Sequence, residues 1–321
     1  MNCVVRMGGN MARVNVIINC LNGEKYLQET LNSVREQTFE DWEIIFIDNC
    51  SSDKTADIAK SFGNKLRYYR TKKTIPLGKA RNLALSYVDS EWIAFLDSDD
   101  LWSPDKLERQ IKIVDEYNSI SLITSNFYSY NMMKGTTKLV HPSWRDRKVE
   151  FKEFVCNYAY CLSTFMMKKS VLNDLDLWFD DRFEYAEEYD LFCRVSLLGD
   201  VYIISEPLAT RRMHSNMATL KLAKRIPLEH QMTLDNFRKI DNEFDVKYPD
   251  VVKNVNYLVN YLESKRLFPL GDNKKIRQLM KPFFLYNKRS TAYYIMACLP
   301  TVISKGIYRY IYYKSITGEE K

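Results

Sequence analysis

The sequence predicts an α/β fold: a mostly parallel sheet flanked by helices, with a helical appendage at the C-terminal end. Three observations lead there. Short apolar runs, such as Ile93-Ala94-Phe95-Leu96, are too brief for solitary helices and suit strands buried on both faces. Amphipathic helical stretches separate these runs, which implies right-handed crossovers and parallel pairing. Two of the runs end abruptly in acids, at Asp48 and at Asp97-Ser98-Asp99-Asp100. In open α/β sheets the carboxyl ends of the strands are where ligands bind.

Taken in order, residues 1–13 read as a loose extension with no apolar core region of the signal-peptide kind. Residues 14–18 form a strand, 25–37 a helix, and 42–47 a second strand ending at Asp48. Ser52-Asp53 caps a helix over 54–62, a short strand covers 66–69, a helix covers 78–87, and 92–96 is the next strand. There is no GxGxxG after the first strand and no Walker A sequence, so phosphates must be handled by other means. Ser103-Pro104 resembles an N-cap followed by Pro at the first helical position, opening a helix over 104–117. A strand at 120–130, a polar loop or hairpin at 131–149, an apolar aromatic stretch at 151–162 and a strand-like run at 163–167 follow. A helix over 187–198 would put Glu187 and Asp190 on one face and Glu188 about 100° away.

Three acids within four residues repel one another, and a cation among them relieves that repulsion. All-oxygen ligands favour Mg²⁺ or Mn²⁺. A solvated acidic turn at the start of the next helix would account for the same residues without a metal. The seven cysteines show no CxxC spacing, which points to reduced thiols in a cytoplasmic setting. Charge is uneven: residues 1–220 hold 28 Lys and Arg against 31 Asp and Glu, and residues 221–321 hold 19 against 10. No nucleic-acid module accompanies the basic third, which argues against nucleic acid as a partner.

Val14–Asn22, Ile47–Thr55, Leu77–Asn82, Phe95–Trp102 and Glu187–Arg194 occur in an order that resembles the motifs of glycosyltransferase family 2, with its GT-A fold. The resemblance implies a catalytic domain over 14–216, with a nucleotide-sugar half at 14–102 and an acceptor half at 103–216. It implies an inverting transfer of a sugar from a nucleotide-diphosphate donor, UDP-linked by preference, to a hydroxyl of a glycan or of a polyprenyl-diphosphate-linked acceptor. Asn19, Cys20, Leu21, Asn22 and Glu24 match the loop against the donor base, and Asp48 matches the acid that accepts from the uracil ring N–H. Asn19 replaces the usual Pro, and Cys50 stands where Gly is common, so that turn must avoid positive φ or strain.

Gly78, Arg81, Asn82, Asp97, Ser98 and Arg212 match donor-side positions, and Asp99, with Asp97 and His214, the metal side. Glu188 matches the general base, flanked by Glu187 and Asp190; the family's usual residue there is Asp. An acidic helix N-terminus favoured by the macrodipole is the plain alternative for 187–190. A sugar nucleotidyltransferase and a non-catalytic nucleotide-sugar binder remain as alternative functions.

Residues 217–282 read as amphipathic helices, including Leu220 and Leu222. Residues 283–313 concentrate Phe, Tyr and Ile around Lys288, Arg289, Lys305 and Arg309. The uncharged run 290–304 is shorter than the ~20 residues a spanning helix needs. This stretch is expected to lie in a membrane interface, holding the enzyme at the inner face of the cell membrane; a helical pair closing a core or a homodimer is the competing use.

Overall fold

The computed structural model describes residues 11–215 and 225–317, with side chains through Tyr310. Residues 1–10 of the expected extension, Asn216, Leu220 and Leu222 lie outside the described residues. The chain divides into two compact units, one ending at Met217 and one starting at Ala218.

Among its described residues the first unit is built on ten strands. β1 (Val14–Cys20), β2 (Trp42–Asp48), β3 (Leu66–Arg70) and β4 (Trp92–Phe95) alternate with α1 (Leu27–Arg35), α2 (Thr55–Lys60) and α3 (Leu77–Leu85). These strands lie in the order β3-β2-β1-β4, all parallel. All seven residues of β2 and all four of β4 are buried, which is why apolar residues predominate on both faces; the two acids of β2, Glu43 and Asp48, are buried with them. Along β1 the side chains alternate between faces. Val14, Val16 and Ile18 join the apolar sides of α1, α2 and the later helix α4 (Lys106–Glu116). On the other face Phe95 meets Phe179 and Phe192 edge-on, at 6.2 and 5.3 Å.

Beyond β4 the sheet becomes mixed. β5 (Leu101–Trp102), β6 (Ile120–Asn131), β7 (Thr136–Leu139), β8 (Arg147–Val149), β9 (Met166–Lys168) and β10 (Asp200–Met213) complete it, with α5 (Phe151–Cys156) and α6 (Glu187–Leu198) between them. β9 runs antiparallel between β4 and β6, β10 is parallel to β6, and β5, β7 and β8 pair antiparallel. The polar stretch 131–149 is thus a hairpin plus an edge strand. The run expected as strand from 163 begins instead as a 3-10 turn, Leu162–Thr164.

Ser103 does not cap α4, which starts at Lys106 with Asp105 before it and no side-chain cap. The reason is tertiary: Ser103 N donates to Leu208 O at 3.0 Å and its hydroxyl to Pro207 O at 3.2 Å, so the backbone there serves β10.

In the second unit, α7 (Ile226–Ile240), α8 (Phe244–Lys247), α9 (Pro249–Leu267), α10 (Asn273–Met280), α11 (Lys288–Cys298) and α12 (Thr301–Thr317) follow one another. Asn287 opens α11 with a capping box to Ser290, and Leu299-Pro300 separates α11 from α12. Phe283, Met296, Ala297 and Tyr308 pack with Phe268, Ile276 and Met280 in one core. The expected interfacial stretch is therefore two-sided: its inner face closes the core of its own unit. Its outer face leaves Leu285, Ile295, Val302 and Ile303 exposed. Among the described residues no helix is long and apolar enough to cross a membrane.

Candidate active site

Strand register builds the site. β1 pairs Cys20 with Asp48 on one side and Ile17 with Phe95 on the other, so Asp48 and the Asp97–Asp100 corner flank the carboxyl end of β1. Two strand spacings of about 4.8 Å separate them laterally.

At the corner, carboxylate oxygens of Asp97, Asp99 and Asp100 all lie within 4.8 Å of one another. The three are not equivalent. Asp100 is buried and accepts from Ser163 Oγ at 2.6 Å, Cys161 Sγ at 3.5 Å and Arg212 N at 3.0 Å. Burial first, then the charges of Asp99 and Asp97, push its carboxyl up to about 7. Asp97 and Asp99 keep 41% and 32% of their side-chain surface open. His214 reaches Asp99 through Nε2 at 2.9 Å, its ring 4.7 Å from that of Tyr26. Hard oxygen donors, two of them accessible, crowded against a third acid, fit Mg²⁺ or Mn²⁺.

Arg81, buried on α3, ties this corner to the start of α6. Its Nη2 donates to Asp97 at 3.2 Å and its Nη1 to Glu187 at 2.6 Å, with Glu188 3.7 Å away. α6 begins at the residue the helical spacing predicts, and the three acids of its first turn separate by environment. Glu187 is buried on Arg81. Asp190 is buried and bound by Arg194 at 2.7 Å, in the same turn geometry of i, i+4. Both are structural anchors here, not open groups. Glu188 keeps 29% of its side chain exposed, and burial, with Glu187 next in weight, pushes its carboxyl up to about 8. Of the three acids it alone combines partial exposure with a raised proton affinity.

Several residues matched to the donor side are engaged with the protein itself. Arg212 is 2% exposed; its guanidinium donates to Asp99 O, Glu29, Tyr26 O and Thr30 Oγ1, and it lies over the Tyr26 ring. It clamps β10 to the corner and has no face left for a phosphate. Asn82 exchanges two hydrogen bonds with the Phe179 backbone, at 2.7 and 2.9 Å, and so holds that loop. A Cβ on Gly78 would make only ordinary contacts with Phe179, Asp180 and Glu187, so that glycine packs α3 and gives no special access to a ligand.

The Cys20 thiol is buried near Thr55, at 3.9 Å, and pushed up to about 11 mainly by burial, leaving only its backbone for a donor. Asn22 and Glu24 stitch β1's loop to the next one: Asn22 Oδ1 accepts from Ser52 N at 2.8 Å and Glu24 Oε2 from Lys54 N at 3.0 Å. Leu21 is exposed, Ser98 is half-buried, and Asn19 is half-buried with its Nδ2 lacking a hydrogen-bond partner.

Asp48 is fully buried. Ser51 N, Tyr68 OH and Arg70 Nη1 donate to its carboxylate at 2.7, 2.5 and 2.8 Å. Arg70, 43% exposed, covers this carboxylate from the solvent side. Tyr68 and Arg70 escaped the sequence reading, although i, i+2 on β3 beside the end of β2 marks them as neighbours of Asp48. Adjacent residues of a strand face opposite ways, so of Arg211-Arg212 it is Arg212 that clamps Glu29.

Comparison with known proteins follows the same lines. The model of the family described as glycosyl transferase family 2 matches residues 15–176, half of the chain. An uncharacterized glycosyltransferase of Rickettsia typhi is 29% identical over 209 residues, 64% of this chain; the chain thereby spans 65% of that relative's length. UDP-Glc:alpha-D-GlcNAc-diphosphoundecaprenol beta-1,3-glucosyltransferase WfgD of Escherichia coli is 26% identical over 270 residues, covering 82% of this chain and 98% of WfgD. The crystal structure of Staphylococcus aureus TarS 1–349 in complex with UDP-GlcNAc superposes with a TM-score of 0.60 at 18% identity, over 89% of this chain and 90% of that one. That likeness extends the fold beyond the stretch the family model matches.

Proposed function

The chain belongs to glycosyl transferase family 2, and from that premise we propose that it is an inverting glycosyltransferase of bacterial surface-polysaccharide synthesis. It takes a UDP-sugar as donor and a hydroxyl of a lipid-linked sugar as acceptor. The observation that carries this reading is Glu188: among the acids opening α6 it alone stays partly exposed, on the same Arg81 that holds Asp97. The donor lies across the end of β1, its base toward Asp48 and its diphosphate toward Asp97 and Asp99. A divalent ion held by Asp97 and Asp99, with His214 beside them, would offset charge on the departing diphosphate.

Glu188 takes the proton from the acceptor hydroxyl as that oxygen attacks the anomeric carbon from the face opposite the diphosphate. The new C–O bond forms as the bond to the diphosphate breaks, and UDP leaves with its electron pair. Arg81 and Glu187 fix the position of Glu188, and Asp100 with Ser163 fixes the corner.

The relative WfgD carries an acceptor linked to diphosphoundecaprenol in its name. An acceptor of that class resides in a membrane, and the second unit supports contact with one. Residues 273–318 contain nine Lys and Arg and no Asp or Glu. Leu285 is 73% and Val302 84% exposed on the same stretch. Exposed apolar side chains amid cations fit an anionic lipid surface. Replacing Leu285 and Val302 by Gln should cut co-sedimentation with phosphatidylglycerol vesicles while leaving UDP release intact; undiminished sedimentation would remove this face from the role.

The activity is tested by incubating the chain with UDP-sugars and Mn²⁺ and measuring UDP release with and without a polyprenyl-diphosphate-linked sugar. Acceptor-dependent release is expected. Pyrophosphate release from UTP and a sugar phosphate would instead indicate a nucleotidyltransferase.

A further inference from the structure

The loop between α5 and the Leu162–Thr164 turn carries two tyrosines, Tyr158 and Tyr160. One end of this segment belongs to the acid corner, where Cys161 Sγ and Ser163 Oγ donate to Asp100. Its other end meets α6: the Tyr158 ring stands edge-on to that of Tyr189, the neighbour of Glu188, at 4.8 Å. From there one ring follows another, Tyr158 to Tyr160 at 5.0 Å and Tyr160 to Trp144 at 5.4 Å. Trp144 in turn stacks on His141 at 3.9 Å with the ring planes 1° apart.

Tyr158, Tyr160, Trp144 and His141 all sit on loops and are half-buried. Two ties hold the loops in place. Facing a carbonyl, Nε2 of His141 donates to Ala159 O at 2.8 Å, which joins one loop to the other. Asn126 on β6 grips the His141 backbone at both its C=O and its N–H, at 2.8 and 3.1 Å. The Tyr158 hydroxyl is buried and has no hydrogen-bond partner among the described residues; burial first, then the charge of Glu188, push it well above its ordinary range.

A row of rings that is fixed in advance and partly open lowers the ordering cost of holding a flexible ligand. This row begins beside the acid that would draw the acceptor proton. A sugar ring suits it, because it offers a face of C–H bonds to an aromatic ring and a rim of hydroxyls to water. Trp144 lies two ring-to-ring steps beyond Tyr158, past the place of the sugar that reacts.

We propose that Tyr160 and Trp144 bind the second sugar of the acceptor, the unit behind the one whose hydroxyl Glu188 deprotonates, so that the preferred acceptor carries at least two sugars. This rests on the glycosyltransferase reading given above and adds an acceptor length to it. Tyr158 joins the row to α6, and His141 holds the Trp144 ring in its plane.

The test uses the full chain with Mn²⁺, the UDP-sugar that supports UDP release, and polyprenyl-diphosphate-linked glycans extracted from the cells that make the protein and sorted by number of sugars. Wild type should show a lower KM for acceptors of two or more sugars than for those of one. Trp144→Ala should raise the KM for the longer acceptors by about 5–50-fold, the worth of one aromatic stack with its buried area. The KM for one-sugar acceptors and the affinity for UDP by calorimetry should stay as they are. Trp144→Phe, which keeps a ring, should recover part of the loss. Equal wild-type KM for both classes of acceptor would overturn the assignment, as would a KM of the Ala variant for the longer acceptors within about twofold of wild type. A matching rise for one-sugar acceptors would place the row against the lipid, and a parallel loss of UDP affinity would mark a folding defect; either overturns it too. Wild-type protein that releases UDP with none of the acceptor fractions would overturn the glycosyltransferase reading itself.

Discussion

At the scale of single residues, environment sorts chemically identical groups into different jobs. Glu187, Glu188 and Asp190 lie within four positions, yet Arg81 takes the first and Arg194 the last. Glu188 is left partly open with its carboxyl raised to about 8. A base works unprotonated, and a carboxyl raised above its ordinary range is still protonated at neutral pH. The rate, read as kcat/KM, should therefore climb as pH rises through about 8 and level off above it. A rate already maximal at pH 6 would contradict this.

Arg212 offers a second check. Arg212→Met removes the side-chain donor to Asp99 O and the cation paired with Glu29 and should lower stability by about 2–4 kcal/mol, seen as a fall in Tm. An unchanged Tm with weakened UDP binding would return it to the role of phosphate contact. Its task was hidden in the sequence because Arg211 and Arg212 are the same residue type, and only the pairing of β10 decides which one faces Glu29.

Among the elements, strands and helices were legible wherever burial dictates composition. β4 is apolar end to end, and β2 apolar apart from Glu43 and Asp48, because both faces are covered, and α6 starts where its acid spacing indicates. Local signals failed where long-range pairing competes. Ser103 has the look of a cap, yet Pro207 and Leu208, about a hundred residues away, claim it for β10. The β2 turn shows the cost of a missing glycine: Cys50 adopts φ +65°. Left-handed backbone costs an L-residue about 1–2 kcal/mol, and a glycine gives back part of that gain in unfolded-chain freedom. Cys50→Gly should therefore raise stability by a few tenths to about 1 kcal/mol, measurable as a higher urea midpoint. A lower midpoint would show that the thiol makes up the difference by packing.

Across the whole molecule, sequence order says little about distance, and the sheet supplies it. Asp48, Asp97 and Asp99 reach one edge because β2 and β4 are both neighbours of β1, and Glu188 arrives because α3 carries Arg81 against the start of α6. Asp48, Asp97 and Asp99 were legible from their positions at strand ends, and Glu188 from the motif that opens α6. Their partners were not: Arg70 and Tyr68 over Asp48, Ser163 under Asp100 and Arg81 between two acids arise only from tertiary contact.

The central claim is that these groups surround one donor and divide the labour, with Asp99 on the binding side and Glu188 on the chemical step. The direct measurement is UDP-sugar affinity and acceptor-dependent UDP release for Glu188→Gln, side by side with the wild type. The expected result is donor affinity unchanged and turnover lower by about 10²–10⁴-fold. Turnover at the wild-type rate would contradict the account.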